Sequence, residues 1–194
     1  MGARDDVAFD EARHEYRVAG RVVPHVTGIL APLYSWERVP ANVLERAALL
    51  GQAVHRATEL HDLGTLDDAT VHPLVRPYLD AWRQFRLETG FVPRLVERYV
   101  YNATLGYAGT LDREGDLERP TIIDIKSGTD HPVHGVQTAA YAAALPPGLG
   151  AYARACVYLD ENGRYRLTYY RNPSDFPTFV SLVTIHHWRS KHGN

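Results

Sequence analysis

Cysteine occurs once, at Cys156, and lysine only twice, at Lys126 and Lys191, in a chain of 194 residues. A lone thiol excludes an internal disulfide, a four-thiolate iron–sulfur cluster and a cysteine-built zinc site, and it fits a reducing cytoplasm. No apolar run approaches the ~20 residues that cross a bilayer, so no membrane partner is expected. The opening stretch, Met1 to Val18, is charged and lacks the apolar segment of a secretory signal. An excess of either charge is also missing: 21 basic residues against 23 acidic ones leave a net charge of −2. A polyanionic partner would therefore have to be drawn by a local patch or by bound cations. What is present is an ordinary globular balance, 45% hydrophobic and 23% charged, with enough chain for one domain spanning 1–194 and its own core. Nearly all of the basic residues are arginine, so a lysine inside a chemical motif stands out.

Hydrophobic period divides the chain into elements. Tyr16–Val18 and Arg21–Val23 flank Ala19-Gly20 as a short hairpin, and Thr27 is placed to cap a short helix. Helices are expected over Ala41–Asp62, ending near Gly64, and over Pro73–Thr89, ending at Gly90. The pattern then switches to strands: Val92–Tyr101, Tyr107–Leu117 and Thr121–Lys126. A helix over Pro132–Leu145 follows, then strands near Tyr152–Leu159 and Tyr165–Tyr170 around Asn162-Gly163, and a helix from Pro173 to about Trp188. This order predicts an α/β fold with a central mixed sheet flanked by helices. Residues 1–90 would form the N-terminal hairpin and helices, 91–145 the central sheet and its helix, and 146–194 peripheral strands and a last helix.

The chemistry concentrates in Gly109-Thr110-Leu111-Asp112 and Ile122-Ile123-Asp124-Ile125-Lys126. If these two strands turn at Glu118, Asp112 and Asp124 are equidistant from the turn and oppose each other on one face, with Cβ atoms roughly 5 Å apart. Lys126, two residues on, shares that face. Opposed carboxylates repel, and a divalent cation such as Mg²⁺ or Mn²⁺ relieves that repulsion. A neighbouring ammonium can then orient a water or steady charge on a phosphate. The same residues also fit a plain surface hairpin, with Asp112 paired to an arginine and Asp124 to Lys126. Three further features accompany them. Gly51 precedes His55 by one helical turn, and the glycine suggests close approach of another segment. Gln137 and Tyr141 share a helix face with His134. Glu97 lies in the preceding strand, where parity across the Asn102–Gly106 loop does not decide its direction.

Together these residues resemble the PD-(D/E)xK nuclease superfamily, in particular its RecB-like exonuclease branch of small phage and bacterial enzymes. The carrying motifs are Gly51 to His55, Gly109 to Asp112, Asp124 to Lys126 and Gln137 to Tyr141, in the family's order over roughly residues 24–145. The resemblance implies a restriction-endonuclease-like core and metal-dependent hydrolysis of DNA phosphodiester bonds. It implies Asp112, Asp124 and Lys126 as catalytic residues, with Lys126 activating the attacking water. His55, Asp112, Asp124 and the Ile125 carbonyl would hold Mg²⁺ or Mn²⁺. Gln137 and Tyr141 would position the nucleic acid or support the lysine, and Glu97 is a further acid linked to the metal in some members. The implied partners are single- or double-stranded DNA ends and a recombination or replication protein, in a bacterial or phage-infected cytoplasm. The iron–sulfur cluster of some members does not carry over to a chain with one cysteine.

Cationic and stacking groups would have to surround such a site. Arg46, Arg56, Arg83, Arg86 and Arg113 are the basic candidates, and Tyr34, Trp36 and Tyr107 the aromatic ones. Two other readings use the same residues. One is a catalytically silent nuclease fold that binds nucleic acid or a protein. The other is a metal-binding domain built from His131, His134, His186 and His187.

Overall fold

The computed structural model describes residues 7–11, 13–35 and 39–193. Three short strands open it: β1 (Val7–Asp10), β2 (Glu15–Val18) and β3 (Arg21–Val23) form an antiparallel sheet. The β2–β3 turn sits at Ala19-Gly20, where both residues take positive φ, 48° and 77°. Two successive left-handed residues give the turn a twist that matches the flanking strands. Strand β1 was not anticipated from the sequence: no tight-turn pair such as Ala19-Gly20 marks its join to β2.

Helix α1 (Val26–Leu30) follows, but its cap differs from expectation. The His25 side chain, not Thr27, accepts the Gly28 N–H. Thr27 lies inside the helix, and its hydroxyl instead shares a 2.9 Å hydrogen bond with His25 Nδ1. Helices α2 (Ala41–Asp62) and α3 (Arg76–Thr89) end at Gly64 and Gly90, with φ of 70° and 69°. A left-handed residue at these positions costs glycine little and other residues more. Helix α3 starts at Arg76 rather than Pro73.

The main sheet has five strands in sequential order: β4 (Val92–Asn102), β5 (Tyr107–Asp116), β6 (Pro120–Lys126), β7 (Ala153–Leu159) and β8 (Tyr165–Tyr169). All neighbours are antiparallel except β6 and β7, which are parallel and joined through α4 (Val133–Ala144). A parallel pair needs such a crossover. Helix α5 (Asp175–His192) closes the chain. The fold is thus α/β, a mixed sheet between two helical layers, as the element order implies. On one side α2 and α3 bury Val54, Ala57, Trp82 and Phe85 against Ile123, Ile125 and Val157. On the other, α1, α4 and α5 bury Leu30, Val136, Ala140 and Phe179 with Leu111 and Ile122. Each large side chain removed from water here contributes roughly 1.5–3 kcal/mol. Among the described residues no helix is long and apolar enough to cross a membrane.

One property of the sheet creates the site. Strand β5 is longer than its partner β6. Their pairing stops at Arg113↔Ile123, while the far end of β5 is covered by the Pro24–His25 segment, whose Pro24 carbonyl accepts the Ala108 N–H at 2.9 Å. The gap between these two pairings contains Gly109 to Asp112.

Candidate metal centre and active site

The next positions along both strands beyond Arg113↔Ile123 are Asp112 and Asp124. The turn at Glu118 therefore produces the alignment expected from the sequence. The two carboxylates are then put to different uses. Asp112 reaches across the gap and its Oδ2 accepts the Ile125 N–H at 2.7 Å. Asp124 Oδ2 instead pairs with Lys126 Nζ at 2.7 Å and accepts a weak 3.6 Å contact from Cys156 Sγ. Lys126 Nζ also donates to Gln137 Oε1 at 3.1 Å, and Gln137 Nε2 donates to the Tyr141 hydroxyl at 3.2 Å. The Gln137–Tyr141 stripe is buried. It holds the lysine from the side of α4.

Strand β4 supplies the direction that parity could not. Val96 pairs with Arg113 and Arg98 with Leu111, so Glu97 stands opposite Asp112. Glu97 itself has φ of 45°, a left-handed conformation that is uncommon for a non-glycine residue. Its Oε1 lies 3.7 Å from His55 Nδ1, and Asp112 Oδ2 lies 3.6 Å from the same nitrogen. His55 Nε2 donates to the Ile125 carbonyl at 2.9 Å. Ile125 thus fixes both sides of the site through its main chain, Asp112 through its N–H and His55 through its C=O.

The donor atoms of His55, Glu97 and Asp112 all lie within 4.8 Å of one another, which is the one such group among the described residues. This trio is not the set expected from the sequence. Glu97 belongs to it, Asp124 is engaged by Lys126 on its flank, and the Ile125 carbonyl is engaged by His55. The chemistry of the trio suits a hard divalent cation with one imidazole. A carbonyl oxygen only accepts, so Nε2 carries the proton of the neutral ring. In the neutral ring Nδ1 would turn a lone pair toward two carboxylates, so the site favours a positive species there, a proton or a cation.

Electrostatics express the same strain. Burial, reinforced by Asp124 and Glu97, pushes the Asp112 carboxyl up to about 7 despite the opposing pull of His55. Burial also acts to lower His55, but Asp112 and Glu97 outweigh it and raise the imidazole to about 9. Lys126 is likewise raised, the attraction of Asp124 and Asp112 overcoming its burial. It is held as a cation, suited to orienting a water or countering charge on a phosphate.

Arg113 is a correction. Expected on the nucleic-acid surface, it is fully buried. Its Nε donates to Asp62 Oδ2 at 2.6 Å and its Nη1 to Glu97 Oε1 at 2.7 Å. Its direction is set by α2 and α3: Asp62 also takes Arg86 at 2.6 Å, and the guanidinium lies 5.7 Å from the Trp82 ring centre. Arg113 steadies Glu97 from behind the sheet. Arg83 is paired with Asp68. Arg56 is at the cavity, largely exposed, with Glu59 at 2.7 Å. Tyr107 is fully buried and unavailable for stacking, and its hydroxyl donates to the Ala140 carbonyl. Tyr34 packs against His131, and Trp36 lies outside the described residues. His134 shares a hydrogen bond with the Tyr158 hydroxyl and His187 with the Leu105 carbonyl. Neither of them, nor His131 or His186, joins a convergent donor group among the described residues.

The two motif glycines differ. A Cβ on Gly109 would meet Tyr141 Cε1 at 2.9 Å and Val26 Cγ2 at 3.1 Å, so close packing demands the glycine. A Cβ on Gly51 would meet only Ser127 Oγ, at 3.6 Å. The close approach expected at Gly51 is an ordinary contact.

Asp112, Asp124, Lys126, Gln137 and Tyr141 line one cavity of about 840 Å³ with His55, Glu97 and Arg56. Its size matches small-molecule and cofactor clefts. Neither a protein-family model nor a curated protein sequence matches this chain. Among solved structures it is similar to the alkaline exonuclease LHK-Exo from Laribacter hongkongensis, at 13% identity over 71% of this chain and 86% of that one, with a TM-score of 0.45. It is also similar to LHK-Exo in complex with dAMP, at 14% identity over 87% and 92%, with a TM-score of 0.43. Both similarities are too distant to transfer the role of any residue.

Proposed function

We propose that the chain, acting as one catalytic unit, is a metal-dependent deoxyribonuclease of the RecB-like kind that works from DNA ends. The observation that carries the reading is His55 Nδ1 facing Glu97 and Asp112 at 3.7 and 3.6 Å, with the Lys126 ammonium beside Asp124 in the same cavity. The four ordered motifs of the sequence support it independently. His55, Glu97 and Asp112 would hold Mg²⁺ or Mn²⁺, and Asp124 borders them. The cation, when bound, supplies Lewis acidity toward a phosphodiester oxygen and makes hydroxide accessible near neutral pH.

The chain's own residues do the remaining work. Lys126 orients the attacking water and counters charge growing on the phosphate. Gln137 holds Nζ in place, and Tyr141 holds Gln137. Arg113 and Asp62 keep Glu97 aimed inward. Arg56, at the cavity rim, meets the backbone of the strand. Recombination, repair or phage replication in the cytoplasm is the setting such an enzyme serves, beside a partner from the same process. The test is an Mn²⁺-dependent assay on end-labelled single- and double-stranded DNA. Shortened products that vanish with EDTA and in Asp112→Asn are expected. Intact substrate across metals and end types rejects the reading.

A further inference from the structure

The cavity has a second wall that the metal centre does not use. Phe9, His14 and Tyr16 from the N-terminal sheet, His25 before α1 and Tyr99 from β4 all line it. Their rings form one continuous cluster. Phe9 lies 4.6 Å from Tyr16, 5.2 Å from His14 and 5.9 Å from Tyr99, and His14 lies 5.0 Å from His25. Tyr16 and His25 have structural duties: the Tyr16 hydroxyl bonds Thr110 Oγ1 at 2.6 Å, and His25 caps α1. The outer members differ. Tyr99 is 41% exposed and Phe9 is only partly covered.

The position of this wall relative to the acids follows from strand register. Tyr99 pairs with Thr110, and each is two residues from an acid, Glu97 and Asp112 respectively. Two residues of regular strand put Thr110 ~7 Å from Asp112 on one face, and Tyr99 lines the same cavity as Glu97. A phosphate at the acids would therefore bring its own or the next nucleoside against the rings.

We propose that Phe9, His14 and Tyr99 form a stacking subsite for a terminal nucleobase of the DNA strand whose phosphate lies at the metal centre. The inference rests on the nuclease reading and names how its substrate is gripped. The occupant is a base because the wall is aromatic, its Tyr99 ring is tilted 49° to Phe9 rather than stacked on it, and it lies about one nucleoside from a phosphate-competent site. Stacking of this kind tolerates any base, since each presents a π face. It also favours unpaired ends, where a base is free to leave its partner.

The experiment compares KM for two single-stranded oligonucleotides in Mn²⁺. One is intact and the other lacks the bases of its last three nucleotides at both ends. The wild-type KM should be on the order of tenfold higher for the abasic-ended strand. Tyr99→Ala should bring that ratio near one, and Tyr99→Trp should restore it. Thermal melts of both variants verify that they are folded. Cleavage of the two strands with equal KM by the wild type, or an unchanged ratio in folded Tyr99→Ala, overturns the subsite and leaves the nuclease reading standing. No cleavage of either strand by a wild type that shortens double-stranded DNA overturns the subsite alone, and no cleavage of any end type overturns the nuclease reading and the subsite with it.

Discussion

His55 donates from Nε2 to the carbonyl oxygen of Ile125 at 2.9 Å, and this bond decides what the other ring nitrogen meets. Nδ1 is left between Glu97 and Asp112. Without a metal a second ring proton sits there, since these two acids raise the imidazole to about 9, and under the proposed function a cation would replace it.

The first prediction is a pH-dependent loss of stability in EDTA. The folded value of His55, about 9, lies above its ordinary 6.5. Its contribution is full below pH 6.5 and disappears as pH rises through 9, a change on the order of 2–3 kcal/mol. Asp112, raised to about 7, acts in the same direction from about pH 4 to 7. Urea unfolding at pH 6 and pH 9.5 should show a lower midpoint at the higher pH. Mn²⁺ should restore most of the loss, and His55→Gln should flatten the upper part of the profile.

Lys126→Gln should lower cleavage by ~100-fold or more while Mn²⁺ affinity, read by calorimetry, changes only a few-fold. Asp124 is 1% exposed and loses its cationic partner in this variant. Folded stability should therefore also drop, by up to ~3–5 kcal/mol. Turnover at the wild-type rate by a folded variant removes Lys126 from the mechanism.

The motif glycines should respond in opposite directions. Gly109→Ala drives a methyl into Tyr141 and Val26, costing about 1–3 kcal/mol, and it shifts the tyrosine that supports Gln137, so activity falls as well. Gly51→Ala meets only Ser127 Oγ inside α2 and should stabilise the helix by ~1 kcal/mol. Chemical denaturation of the two variants side by side measures both effects.

Arg113→Met should destabilise the protein by ~3–5 kcal/mol, because Glu97 and Asp62 lose a fully buried partner. Arg56→Ala should leave the unfolding midpoint nearly unchanged, since the Arg56 side chain is 63% exposed. It should weaken DNA binding and make the salt dependence shallower by about one counterion. Fluorescence anisotropy across a salt series, with denaturation curves for both proteins, separates the effect of the buried arginine from that of the exposed one.

Local rules were sufficient wherever a short stretch of chain dictates its own geometry. The turn at Glu118 is equidistant from Asp112 and Asp124, and strand alternation has a period of two, so their opposition follows from spacing alone. Gly64 and Gly90 end helices because they accept positive φ, and Asn162-Gly163 joins β7 to β8 for the same reason. Tertiary structure decided what each aligned group does. Glu97 joins His55 and Asp112 because β4 pairs with β5 in one particular register and its own backbone turns left-handed. Arg113 becomes a buried brace because Asp62, 51 residues away in sequence, reaches it from α2. Asp124 pairs with Lys126, whose ammonium is held on that flank by Gln137 from α4. Burial and ion pairing arise from distant elements meeting in space, and for that reason one sequence window foretold the opposed acids but not the grouping of donor atoms around a cation.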